Sequence, residues 1–107
     1  MVLTIENKSL LNLDKVVQRF GYTSVLDFTR IQVQILIREK IAFYKGQVSI
    51  YEKKYGMDFE EFRRRVVEKT DPVLSKFGVI EKEDDDMEWE LALEMCISLN
   101  RTLEGTK

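Results

Sequence analysis

The chain has 107 residues, of which 44% are hydrophobic and 34% charged, enough apolar content for a real core in one domain and too much for wholesale disorder. It contains no histidine and one cysteine, which excludes Ser–His and Cys–His nucleophile pairs, imidazole metal ligands and an intrachain disulfide. The net charge of −2 conceals a basic front and an acidic tail: residues 1–50 hold seven basic and four acidic side chains, residues 70–107 four basic and ten acidic.

The five glycines are scattered, so no phosphate-cradling loop is present. No apolar stretch is long enough to span a bilayer and no signal peptide is visible, so a cytoplasmic location is expected. Val2-Leu3-Thr4-Ile5-Glu6 is rich in β-branched residues and partly alternating, which predicts a short edge strand that needs a partner strand. Leu10, Leu13, Val17 and Phe20 share one helical face, predicting a first helix over about 9–20 capped by Asn7 or Ser9 and ended by Gly21.

Thr23 or Ser24 caps the next helix, with Asp27 in its first turn beside the positive end of the helix dipole. Its β-branched residues from Ile31 to Ile37 alternate and also read as a strand; the cap, the absence of a breaker and the heptad that follows favour helix. That heptad is Ile37, Ile41, Tyr44, Val48, Tyr51 and Tyr55, spaced 4, 3, 4, 3, 4. Gly56 ends the helix.

Asp58 with Glu61 predicts a third helix over about 58–69, with Phe59, Phe62, Val66 and Val67 facing inward. Thr70-Asp71-Pro72 breaks it, and a short helix runs from Pro72 to Gly78. The acidic run Glu81–Asp86 leads into a last helix over about 84–103, whose apolar residues cover more than one stripe and must be hidden by the core or by another chain.

Several conspicuous residues have ordinary readings. Arg63-Arg64-Arg65 reads better as a solvated face paired with Glu60, Glu61 and Glu68 than as a phosphate contact. The acidic run lacks the glycine and alternating spacing of a calcium loop, so a helix start or a partner-facing patch is the better reading. Trp89 suits a core and an interface equally, and Cys96 reads as a small apolar helix residue.

Residues 13–30, with Leu13, Val17 and Phe20 on one helix, the Gly21-Tyr22-Thr23-Ser24 turn, and Asp27, Phe28 and Arg30 beyond it, resemble the helix–turn–helix part of ribbon-helix-helix proteins. The resemblance covers roughly the first 38 residues and implies a short N-terminal strand in a strand–helix–helix dimer module over 1–38; with the heptad seam as a helix extension over 39–56 and an acidic helical partner-binding arm over 57–107, the expected fold is mainly α. The resemblance also implies DNA contacts from Thr4, Thr23, Ser24 and Arg30, and a dimer and core seam of Leu3, Ile5, Leu13, Val17, Phe20, Phe28, Ile37, Ile41, Tyr44 and Val48.

The stretch Tyr55–Phe62, followed by the acidic run and Met87-Glu88-Trp89-Glu90, is similar to small prokaryotic antitoxin-like proteins. That similarity implies a helical arm, using Phe59, Phe62, Met87, Trp89, Leu93 and Cys96, that binds and silences a toxin, commonly a ribonuclease. The expectation is therefore a non-enzymatic antitoxin-like regulator. It forms a homodimer or higher oligomer, binds a protein toxin, has autorepression at DNA as an added activity, and needs no cofactor, metal or membrane. The alternative is a structural helical homodimer or scaffold that does not bind DNA.

Overall fold

A computed structural model describes residues 12–107, and every regular element among them is helical. They are α1 (residues 12–18), α2 (Val25–Tyr55), α3 (Phe59–Val66), a single 3-10 turn (Leu74–Lys76) and α4 (Val79–Gly105).

The local chemistry sets these bounds. Ser24 caps α2 by accepting from the Asp27 N–H at 3.0 Å, and the 31-residue helix then runs unbroken. Ile31 to Ile37 lie inside it. It stops at Gly56, whose φ of 70° is the left-handed cap that glycine adopts most readily, with its N–H donating to the Glu52 carbonyl at 2.8 Å. Asp58 caps α3 through the Glu61 N–H at 2.8 Å.

The turn after α3 is organised by Asp71. Its Oδ1 accepts from the N–H groups of Val73 and Leu74 at 3.0 and 2.9 Å, and its Oδ2 from Arg65 Nε at 2.8 Å. One carboxylate thus ties the end of α3 to the chain that leads into α4. The Gly78 N–H meets Glu81 Oε1 at 3.3 Å, and α4 begins at Val79.

α4 folds back antiparallel on α2. Gln34 near one end meets Thr106, Ile37 and Ile41 pack with Leu103 and Leu99, and Tyr51 and Tyr55 meet Glu88 and Asp85 at the other. The closed end of this hairpin, where α3 crosses over, holds the principal core: Tyr51, Tyr55, Met57, Phe62, Leu74 and Trp89, with Phe59 and Phe77 against them. Trp89 is 0% exposed, parallel to Tyr55 at 6.1 Å between ring centres and tilted against Phe59 and Phe62 at 5.1 and 5.2 Å. Rings dominate because the short α3 can fill the space between two long helices only with large side chains.

The expected strand–helix–helix module with a trailing arm is corrected to an antiparallel helical hairpin. No strand occurs among the described residues, and α4 lies along α2 instead of extending from it. The physical reason is the length of α2: its apolar seam continues to Tyr55, and α4 carries the stripe that covers it. The strand expected over 2–6, with Leu3, Thr4 and Ile5, lies outside the described residues, as do the helix caps Asn7 and Ser9 and the apolar Leu10. α4 also starts five residues earlier than expected and takes in the whole acidic run.

Candidate interaction surface

The two ends of the hairpin differ in what they leave uncovered. At the closed end Glu81, Asp85, Asp86, Glu88 and Glu90 are already matched within the chain. Lys54 Nζ lies 2.6 Å from both Glu81 and Asp85, Arg63 contacts Asp86 at 2.9 Å and also pairs with Glu90, and the hydroxyls of Tyr51 and Tyr55 donate to Glu88 and Asp85. Lys54 sits over the Tyr55 ring at 5.4 Å and Arg63 over Phe59 at 4.6 Å, so the charges roof the aromatic core.

Burial, reinforced by the Glu88 bond, pushes the Tyr51 hydroxyl up to about 12, and burial with the Asp85 bond raises Tyr55 as well. Both phenols are therefore neutral donors at ordinary pH, and the arrangement is structural. Among the described residues no group of three or more Cys, Asp or Glu side chains is arranged to hold a metal ion.

The open end is different. α1 and the first two turns of α2 form a corner locked by its own side chains. Asp14 Oδ1 accepts from the Val25 N–H at 2.6 Å, Asp27 Oδ2 from the Thr23 N–H at 3.0 Å, and the Thr23 carbonyl accepts from Gln18 Nε2 at 3.0 Å. Gly21, at φ 96°, turns the chain, and Tyr22 meets Phe28 edge-on at 4.9 Å. The Thr23 N–H, followed by Arg30, holds the Asp27 carboxyl below its ordinary range.

The corner is rigid, yet its apolar residues face outward. Val16, Val17, Phe20, Tyr22 and Phe28 line a cleft of about 550 Å³. Phe20 is 77% exposed and Leu26 79%, and Leu13, Val16 and Val33 are also exposed. Leu26 and Val33 sit seven residues apart on the face of α2 that carries Ile37 and Ile41. α4 covers that face from Tyr55 back to Ile37, and Thr106 stands opposite Gln34. Beyond that point the same stripe continues with nothing described upon it.

Thr23 and Ser24 share the turn and Arg30 follows in the second turn of α2, each with polar atoms already engaged. Ser24 Oγ caps α2 and Arg30 Nη2 lies 2.7 Å from Asp27 Oδ1. Asp14 and Asp27 occupy the start of α2 where a phosphate would sit, and two carboxylates there repel one. The seam residues divide: Ile37 and Ile41 are buried, Val17, Phe28, Tyr44 and Val48 half-buried, Leu13 and Phe20 exposed.

The residues expected to contact a partner divide as well. Phe62 and Trp89 are fully buried, Phe59 and Leu93 pack against them, Cys96 is half-buried, and Met87 is exposed. An arm that used Phe62 and Trp89 for a partner has to unpack the hairpin's principal core first. Leu26 and Val33 were not singled out from the sequence, because stepping the heptad back from Ile37 lands on Gln34 and Arg30, and only helical spacings of four and eleven residues from Ile37 reach them. The two locking carboxylates had no such signal, because Asp14 acts eleven residues away at Val25.

Comparison with family models, with curated proteins and with solved structures finds no match.

Proposed function

We propose that this chain is a non-catalytic, cytoplasmic helical binding protein whose open end, built from α1 and the start of α2, docks on an apolar surface of another protein chain. The observation that supports this most directly is the continuation of the buried α2 stripe as exposed Leu26 and Val33, with Phe20 exposed on the α1 side of the same end. Large apolar side chains held outward by a rigid turn serve contact better than solubility. Among the described residues no helix is long and apolar enough to cross a membrane.

An antitoxin-like role, in which the protein silences a partner by stoichiometric capping, works through this surface in our reading. Residues 57–107 serve to close the hairpin. Residues 12–38 hold four basic and two acidic side chains, too little positive charge to bind nucleic acid by charge alone.

The test is recovery of bound protein from native cells with the tagged chain and with its Phe20→Asp/Leu26→Asp variant. Both substituted side chains are exposed, so the variant keeps its helicity and melting temperature. It is expected to lose proteins that the parent retains. An unchanged set of bound proteins contradicts the proposal.

A further inference from the structure

We infer that the cleft between the end of α3 and the start of α4 binds a small amphipathic carboxylate, with its acid group on Lys82 and its apolar body on Val66 and Phe77. The inference goes beyond the binding role proposed for the open end. It concerns the other end of the hairpin and stands or falls separately.

The cleft has the size and floor of a ligand site. It measures about 580 Å³, within the roughly 300–1,000 Å³ of small-molecule pockets. Its floor is held in place, because Val66 and Phe77 pack against the principal core. Val67 and Val79 also line it and are 75% and 68% exposed. An apolar body laid over these side chains removes their surface from water as well as its own.

Charge selects the head of that ligand. Among the described residues two basic side chains are half-buried, Arg65 and Lys82. Arg65 faces the Asp71 carboxylate at 2.8 Å. Lys82 pairs with no described carboxylate: its Nζ donates to the Leu74 carbonyl at 3.0 Å. Asp86, one turn further along α4, faces Arg63 instead, at 2.9 Å. The Leu74 bond holds the ammonium at the cleft and uses one of its three donors. This cation has lost part of its hydration without gaining a counter-charge, which a bound anion supplies.

Lys69 lines the same cleft and adds a second positive charge, while Glu83 lines it with an exposed carboxylate. Two ammonium groups against one free carboxylate favour a single negative charge over the doubly charged head of a phosphate. An anion the size of acetate leaves the valines and Phe77 wet. The head therefore comes with a hydrocarbon body, as in a medium-chain fatty carboxylate.

The experiment titrates the intact, isotope-labelled chain with decanoate below its micelle concentration and follows amide shifts by NMR, with decanol as the uncharged comparison. Saturable shifts are expected at Val66, Val67, Phe77, Val79 and Lys82, with decanoate binding about tenfold tighter than decanol, the worth of one charged contact. Lys82→Met keeps the apolar stem and removes the ammonium. It is expected to retain the melting temperature and to bring decanoate down to the affinity of decanol. Inorganic phosphate is expected to leave these amides unshifted. Equal affinity of decanoate and decanol for the parent chain overturns the inference without recourse to any variant. So do decanoate shifts that gather at Phe20 and Phe28 instead, a titration that never saturates, or phosphate shifting the same amides. None of these outcomes touches the open-end reading, whose test is the set of bound proteins.

Discussion

Asp71 shows how much one side chain can organise. It is among the most buried charged residues described, and it accepts two backbone N–H groups and a two-pronged contact from Arg65. Those bonds, the Arg65 guanidinium first, hold its carboxyl down at about 2. A carboxyl depressed in the folded state stabilises fully above its ordinary value of 3.8, and that contribution is lost as pH falls toward about 2. The urea midpoint is therefore expected to drop over this window. In Asp71→Asn the midpoint starts lower at neutral pH and falls less over the same window. A variant whose acid profile superimposes on that of the parent contradicts the role given to this turn. Trp89 is the opposite kind of residue: its indole N–H is buried without a hydrogen-bond partner, so its place in the core rests on packing with Tyr51, Tyr55, Phe59 and Phe62.

The elements divide by how local their causes are. α2 was legible from cap to cap, because Ser24 with Asp27 starts it, Gly56 stops it, and the heptad between them has a helical period. The start of α3 was legible from Asp58 and Glu61, but it ends at Val66 instead of about residue 69, and Val67, expected to face inward, is 75% exposed. The start of α4 was not, because consecutive acidic side chains repel one another locally and the cations that offset them, Lys54 and Arg63, lie more than twenty residues earlier in the chain. The fold-back was also hidden: an apolar stripe calls for a cover without saying which helix supplies it. Two glycines test the helix boundaries in opposite directions. Gly46 lies in the exposed interior of α2 with open space around an added Cβ, so Gly46→Ala is expected to stabilise by about 0.5–1 kcal/mol. Gly56 sits at positive φ, so Gly56→Ala is expected to cost about 1–2 kcal/mol. Urea denaturation at neutral pH measures both, and equal effects of the two substitutions contradict the assigned ends of α2.

At the scale of the molecule, the packed core and the proposed binding surface sit at opposite ends of one rod. Rings and paired charges close the hairpin at Tyr51–Trp89, while the far end keeps its backbone turn rigid and its apolar side chains outward. The proposed binding surface was only half legible. Phe20 and Leu13 stood on an apolar face from the start, but the exposure of Leu26 and Val33 depends on Thr106 standing no further along α2 than Gln34, and no local pattern encodes that. A protein with this division is expected to open unevenly, because the described cover of α2 ends near residue 34. Hydrogen exchange of the chain alone measures that most directly. The amides of residues 51–62 and 85–93 are expected to exchange slowly and those of 25–33 fast. Uniform protection along α2 would contradict a stable closed end joined to an open end that awaits a partner.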